Sequence, residues 1–313
     1  MTDDTATPWH ILGAGAMGTL FAHRLEAAGV PVVLVAREAG TMLVHTLRSA
    51  NGDSEREFAV EGPASPGTVR RLLVTVKAPS VTAAVAALGP RLAADAVVVV
   101  LANGRGYREA LAPCLGGRPL YRGVTSEGAW RESASVTVHA GEGRTSIGNP
   151  AGEPLPPRWF TAGPGRLPRV GWDAAIEQAL WEKLAVNCVI NGITALHGCR
   201  NGALLTDPAA RRDCEALLLE TVAALRALGR PQLAAALPGT VAAVLRATAA
   251  NRSSMLADRL AGRETEIDYI NGFLVARCAA QGGRLPHHTA LLERVRALQP
   301  TLASGAAGGS HPA

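Results

Sequence analysis

The stretch Trp9–Ala36 reads WHILGAGAMGTLFAHRLEAAGVPVVLVA. Trp9–Leu12 is a short apolar strand, and Gly13-Ala14-Gly15-Ala16-Met17-Gly18 follows at once. A helix then continues through Thr19–Ala28, with Leu20, Phe21, Leu25 and Ala28 on its inner face. Gly29 stops it, and Val32–Ala36 is a second strand. Strand, glycine turn, helix, strand is the context in which GxGxxG holds a dinucleotide. Gly13 permits the tight turn, Gly15 lets the backbone approach a pyrophosphate, and Gly18 allows close packing of helix on strand. The amides across the loop, from Gly13 through Ala14, Ala16 and Met17, then meet the phosphates at the positive end of the helix dipole.

Outward from this unit, the second strand runs into Arg37, where a carboxylate would select the ribose hydroxyls of NAD. Arg at this point favours a 2′-phosphate, hence NADP(H). Glu38 follows immediately and could reach a ribose instead, so the alternative stays open. Thr41–Val60 and Ser65–Val69 read as irregular edge segments. Arg71–Val76 is a strand ending in Lys77-Ala78, Ser80–Leu92 a helix, and Ala96–Leu101 a strand ending in Ala102-Asn103-Gly104-Arg105-Gly106. In an open parallel sheet the carboxyl ends of strands face the ligand, which puts Lys77 and Asn103 in reach of cofactor or substrate. Leu120–Val124, Val136–His139 and Arg144–Ile147 are short strand candidates closing the first domain.

The period then changes. Asn149–Gly171 is rich in Pro and Gly and reads as a linker. Asp173 caps a helix entering LWEKLAVNCVINGITALHGCRN, residues Leu180–Asn201. Leu, Ala, Val and Cys occupy most of its positions, while Lys183, Asn187 and Asn191 stack four apart in one polar seam. A lysine with two carboxamides in line on a helix buried nearly all round points to a cavity, a partner or a ligand, because an unpaired buried charge is costly. Backbone satisfaction within a core helix is the competing account. Further helices are expected over Pro208–Leu228, Leu233–Thr248, Thr265–Gln281 and around His288–Leu298. Between them, Asn251–Asp258 reads NRSSMLAD and Glu264–Gly272 reads ETEIDYING. Thr265 with Asp268 fits a capping box, leaving Glu266, among Ile267, Ile270 and Phe273, to face inward.

Length and composition bound the function classes. The 313 residues suggest two domains, and 48% hydrophobic with 18% charged is an ordinary globular balance. The net charge of +5 is scattered, with no Arg-rich run and few aromatics, so nucleic acid is not an expected partner. Five cysteines without metal-ligand spacing read as free thiols of a reducing compartment, and no metal site is expected. Met1–Pro8 is not a signal peptide, and the longest apolar run, Ala96–Ala102, is too short to span a bilayer. A cytoplasmic protein with no membrane partner is the expectation.

Taken together, GAGAMG, the VTVKA strand end, ANGRG, WEKLAVNCVIN, Asn201-Gly202, NRSSMLAD and TEIDYINGF resemble the ketopantoate reductase (2-dehydropantoate 2-reductase) family, over the span from the glycine loop to about Val295. The resemblance implies an α/β architecture: a Rossmann-like N-terminal domain with a mainly parallel sheet, plus an all-helical C-terminal domain, with NADPH and ketopantoate meeting in the cleft between them. In residue numbers this is a dinucleotide-binding domain over 1–171 that includes the 149–171 linker, a helical substrate domain over 172–302, and a disordered tail over 303–313. The resemblance also implies that Lys183 is the general acid, that Asn187, Asn191, Asn201 and Ser254 hold the substrate, and that Glu266 is the active-site acid. It places Lys77 and Asn103 on the cofactor side, Arg37 at the 2′-phosphate, and the Ala129 backbone against the cofactor; Asn103 also faces the substrate and Glu266 the cofactor. The expected reaction is NADPH-dependent reduction of ketopantoate to pantoate, with burial lowering the Lys183 pKa. Asn191-Gly192 departs from the family's Asn-Pro, and the region around Trp159 lacks its usual helix. Reduction of a different 2-keto acid, or a catalytically silent NADPH sensor, are the alternatives, and a homodimer is one assembly that analogy with other apolar helical second domains suggests.

Overall fold

A computed structural model describes residues 6–298. They form two compact units, one up to Leu184 and one from Ala185 onward. The first is built on β1 (Trp9–Leu12), α1 (Ala16–Ala27), β2 (Val32–Val35), β3 (Met42–Ser49), β4 (Gly52–Glu61), β5 (Val69–Val74), α2 (Val81–Leu88), β6 (Leu92–Val100), α3 (Arg108–Leu115), β7 (Leu120–Thr125), β8 (Gly128–Arg131), β9 (Val136–Gly141), β10 (Thr145–Gly148), α4 (Arg158–Ala162) and β11 (Val170–Trp172). All eleven strands join one sheet in the order β11-β10-β7-β6-β5-β1-β2-β4-β3-β9-β8. Its centre, β2-β1-β5-β6-β7, is parallel, with Ile11 paired to Leu34 on one side and Leu73 on the other. This is the expected α/β class.

Only Ser126 and Glu127 separate β7 from β8, yet the two strands lie far apart in the sheet order. Two residues span at most about 7 Å, so the sheet curls back on itself. The curl encloses α1, which packs against β1 and β2 on one side and β3, β8 and β9 on the other. That explains why a helix with Leu20, Phe21 and Leu25 in the core also buries Thr19 and His23. Thr19 meets Thr137 at 2.8 Å, His23 Nε2 meets His45 at 3.1 Å, and Arg24 donates to Glu127 at 2.7 Å, so β3, β9 and the β7–β8 turn meet most of the polar face of α1, His23 Nδ1 staying buried without a hydrogen-bond partner among the described residues.

Four expectations need correction. Residues 41–60 are not irregular: β3 and β4 pair antiparallel from Met42↔Ala59 to Ser49↔Gly52, around an Ala50-Asn51 turn closed by Gly52 at φ +108. On β3 Met42 and Val44 are exposed while His45 is buried, and β4 exposes Asp53, Glu55 and Glu57, so apolar alternation does not mark the inner face although the backbones pair throughout. The 149–171 stretch is not a plain linker either. It carries α4 and leads into β11, so a short helix does occupy the region around Trp159. Trp159 packs edge-on against Tyr121 (centroids 4.6 Å apart) and tilted against Trp9 (5.8 Å), and Phe160 and Leu167 join the same core. Burial of large aromatics holds this Pro- and Gly-rich chain in place without helical periodicity. Third, α3 and β8 were not foreseen. Fourth, the single helix expected over Thr265–Gln281 is a π-helical turn, Asp268–Gly272, followed by α10 (Phe273–Ala279).

The long helix α5 (Ile176–His197) contributes its first turns to the sheet unit, which is why the units divide at Leu184 rather than at the change of sequence period near residue 172. The second unit continues with α6 (Ala203–Thr206), α7 (Pro208–Ala227), α8 (Pro231–Ala247), α9 (Ser254–Leu260), α10 and α11 (Pro286–Ala297). Asp207 caps α7, accepting from the Ala209 and Ala210 amides. Cys188, Ile193, Leu217, Leu237 and Leu291 are buried in this helical unit. The expected tail over 303–313 lies outside the described residues.

Candidate active site

The parallel strands deliver several candidate residues to one edge of the sheet. Gly13 follows β1, Arg37 follows β2, Lys77 and Asn103 follow β5 and β6, and Thr125 ends β7. In such a sheet this is the edge where ligands bind.

The glycine loop has a division of labour. Gly13 sits at φ +108, and a Cβ there would lie 2.7 Å from Val76 Cγ1. A Cβ on Gly18 would lie 1.9 Å from the Gly13 carbonyl oxygen, so both glycines serve the loop's own packing. Thr75 Oγ1 donates to the Gly13 carbonyl at 2.9 Å and pins the turn. Gly15 differs: its φ is −82 and a Cβ would meet nothing within 4 Å. It begins α1 with no side-chain cap and no acidic residue in the first turn. Open space against uncapped helix-start amides fits a pyrophosphate, so the residues present suit a dinucleotide. Ala14, Ala16 and Met17 are half-buried along the same loop.

Arg37 and Glu38 are both exposed, as is Lys77. Asn103 is half-buried on a braced loop: Tyr107 donates to the Ala102 carbonyl at 3.0 Å and Arg122 to the Gly104 carbonyl at 3.2 Å, while the Arg122 guanidinium lies 4.9 Å over the Tyr107 ring. Ala129 is placed in β8 opposite His139 rather than in a loop.

Lys183 is half-buried on α5, and its Nζ donates to the Thr125 carbonyl at 2.8 Å. The carbonyl belongs to a rigid turn. Thr125 Oγ1 accepts from the Thr145 hydroxyl (2.8 Å) and the Glu127 amide (3.2 Å). Glu127, with a side chain 1% exposed, holds Arg24 and His139. These contacts and the Gly143 amide outweigh desolvation and keep its carboxyl below the usual range. One and two turns further along α5 come Asn187 and Asn191, the latter buried, so the polar seam exists as read.

In the helical unit the neighbouring segments are tied together. The Asn201 amide donates to the Asn251 carbonyl at 3.0 Å, and the Thr194 hydroxyl bonds Ser253 Oγ at 2.7 Å. Ser253, not Ser254, caps α9 by accepting from the Leu256 amide. Ser254 is thereby left exposed at the start of α9. Asn201 Nδ2 donates to Thr248 Oγ1 at 2.9 Å, whereas its Oδ1 is buried with no hydrogen-bond partner among the described residues. Glu266 is 3% exposed. Asp268 is no capping acid: its carboxylate accepts from Arg296. Behind α5, Asn271 Nδ2 donates to the Cys188 carbonyl at 2.8 Å and meets His288 Nδ1 at 3.0 Å, and His288 Nε2 meets Thr221 at 3.0 Å. Burial pushes His288 down to about 4. Gly192 sits so close to Leu291 that a Cβ would lie 2.7 Å from its Cδ2.

Sequence reasoning missed the Thr125 carbonyl, a backbone atom that any residue supplies. It also passed over Glu127 and Arg105, whose partners lie far away in the chain. Of the five cysteines, all free, Cys188, Cys214 and Cys278 are buried and Cys114 and Cys199 half-buried. Among the described residues no group of three or more His, Cys, Asp or Glu could hold a metal ion, and no helix is long and apolar enough to cross a membrane.

Family models described as ketopantoate reductase PanE/ApbA match residues 9–152, and its C-terminal counterpart residues 175–299. The chain is 36% identical over 295 residues to a 2-dehydropantoate 2-reductase of Vibrio cholerae, covering 92% of this chain and 97% of that one. A crystal structure of 2-dehydropantoate 2-reductase from Geobacter metallireducens superposes with a TM-score of 0.79 at 25% identity, covering 93% of this chain and 99% of that one. A ternary structure of D-mandelate dehydrogenase with NADH and anilino(oxo)acetate shares the fold alone (TM-score 0.78, 20% identity, covering 93% and 98%).

Proposed function

This chain belongs to the ketopantoate reductase family of oxidoreductases, and from that premise we propose that it reduces 2-dehydropantoate to pantoate with NADPH, using Lys183 as general acid. The observation that carries the reading is the Lys183 ammonium, anchored on the Thr125 carbonyl at the carboxyl edge of the sheet and heading a stripe of two carboxamides. When bound, the reduced nicotinamide supplies a hydride to the keto carbon.

The chain's own residues do the rest. The bond to Thr125 fixes one of the three ammonium N–H directions of Lys183, which orients the group. Directed at the ketone oxygen, Nζ polarises it, stabilises the developing alkoxide and delivers the proton that completes the 2-hydroxy acid. Asn201 Oδ1, a buried acceptor lacking a donor, suits a substrate hydroxyl. Asn187, Asn191 and Asn103 offer neutral donors and acceptors, and the exposed Ser254 hydroxyl suits the substrate carboxylate. Glu266, a buried carboxylate, holds a hydroxyl or an ammonium in place. On the cofactor side, amides along Gly13–Gly18 take the pyrophosphate and Arg37 the 2′-phosphate, with Lys77 and the Ala129 backbone nearby. A division of labour between residues 1–171 and 172–302, a homodimer and a cytoplasmic location belong to the same reading.

The test is Lys183→Ala. Turnover with ketopantoate falls by at least ~100-fold, the scale of a general acid, while the variant still binds NADPH. An unchanged turnover removes Lys183 from the chemistry.

A further inference from the structure

Arg105 is an arginine buried where its loop has every opportunity to reach water. Its side chain is 5% exposed, and its guanidinium forms an ion pair with the Glu177 carboxylate while lying 4.9 Å from the centre of the Trp181 indole. Trp181 Nε1 donates at 3.1 Å to the same Glu177 oxygen, Oε1, that takes Arg105. Glu177 and Trp181 stand one turn apart on α5, so carboxylate and ring present one surface to the arginine. The loop carrying Arg105 also carries Asn103, two residues earlier, and the helix carrying Trp181 also carries Lys183, two residues later.

Two residues of the proposed site thus stand on separate elements, and one part-buried clasp joins those elements. The loop is already braced across itself by Tyr107–Ala102 and tied to β7 by Arg122–Gly104. Arg105 fastens its tip to the helix. The Glu177 side chain is 31% exposed, and an ion pair with one partner open to water contributes little net stability, so fold stability alone is a poor reason to place one here. Direction is a better reason: a guanidinium is a planar fork that pairs with a carboxylate and stacks on an aromatic face at once, fixing distance and rotation together.

We propose that Arg105 is a positioning residue of the reductase, holding the Asn103 loop in register with the Lys183 helix through Glu177 and Trp181. The proposal rests on the reading of Lys183 and Asn103 given above. It predicts a loss in kcat that exceeds any loss in NADPH affinity, because the alignment of Lys183 depends on the clasp as well as that of Asn103, and a misplacement of about 1 Å is enough to cost ~100-fold in rate.

The experiment uses the full chain with Arg105→Ala, Arg105→Lys, Glu177→Ala and the double variant Arg105→Ala/Glu177→Ala. Each is measured for kcat and KM with ketopantoate, for NADPH affinity by fluorescence titration, and for near-UV circular dichroism. Arg105→Ala is expected to lower kcat by ~10–100-fold per NADPH-binding site, with NADPH affinity within about threefold of wild type. Lys at 105 keeps the charge without the fork and recovers part of the rate. The double variant is no slower than the slower single variant, because both act through one clasp. A residue serving stability alone would lower the folded fraction and leave kcat per cofactor-binding site unchanged. That result, additive losses in the double variant, or a fall in NADPH affinity matching the fall in kcat each overturn the proposal. Should Arg105→Ala not fold, Glu177→Gln keeps volume and the Trp181 bond and carries the same kcat prediction. A wild-type chain that oxidises NADPH with no keto acid overturns the functional reading itself; an active wild type with an equally active Arg105→Ala overturns this inference alone.

Discussion

Gly15→Ala separates what the glycine loop needs for itself from what it needs for a ligand. Gly15 has φ −82 and ψ −174, open to any residue, and its Cβ would meet nothing within 4 Å. The folded chain accommodates the methyl, and the unfolded chain loses freedom, so the variant is as stable as wild type or gains up to about 1 kcal/mol. A bound pyrophosphate has to occupy the space the methyl fills. Losing close approach to one charge-assisted amide contact costs about 1.5–3 kcal/mol, roughly 10–100-fold in Kd. Thermal unfolding with and without NADPH reads both effects. At a concentration near 100 times the wild-type Kd, wild type gains about 2.7 kcal/mol. With the Kd raised ~100-fold, the variant gains only about 0.4 kcal/mol. Gly18→Ala is the contrast, since a Cβ 1.9 Å from the Gly13 carbonyl oxygen must displace backbone and destabilise the cofactor-free protein. Wild-type NADPH affinity in Gly15→Ala, or loss of its cofactor-free stability, refutes the reasoning.

Arg37→Ala is expected to raise KM for NADPH by about tenfold or more while leaving NADH almost unaffected, consistent with one lost charged contact; equal effects on both cofactors would place the 2′-phosphate elsewhere. Asn201→Ala removes a buried acceptor that has no partner along with one hydrogen bond to Thr248. Stability therefore changes by less than ~1 kcal/mol while KM for the keto acid rises about tenfold, and steady-state kinetics beside a denaturant melt check both. Burial pushes His23 and His288 from 6.5 down to about 4, so each stays neutral in the fold while the unfolded chain binds protons below about 6.5. Their contribution is whole above that pH and is lost as pH falls toward 4, on the order of 3 kcal/mol per histidine. Denaturant midpoints of the cofactor-free protein should fall between pH 7 and pH 5, and His288→Asn should flatten the decline; a level midpoint would contradict the buried neutral state.

Local order was legible where it dictates spacing. GAGAMG between two apolar strands gave the nucleotide loop, and Lys183, Asn187 and Asn191 at four-residue intervals gave the polar seam of α5, because helix geometry converts such intervals into a line. The β3–β4 hairpin is marked only by its turn, Ala50-Asn51 followed by Gly52 at φ +108, because apolar alternation fails on both strands. Other features have no local signature. The curl around α1 is visible only once β8 and β9 pair beyond β3, although Thr19 and His23 on an otherwise apolar helix were its trace. Arg105 and Glu177 are 72 residues apart, and Thr125 contributes a carbonyl that its side chain does not advertise. The resemblance named Ser254 for the substrate, and the structure adds the reason the adjacent Ser253 is occupied: it caps α9.

The most direct test of the account is the rate of NADPH oxidation by the purified chain with ketopantoate, repeated with NADH and followed to product. The account predicts a keto-acid-dependent reaction forming pantoate in equal amount to the NADPH consumed, and faster with NADPH than with NADH. NADPH that binds but is not oxidised by ketopantoate would contradict it.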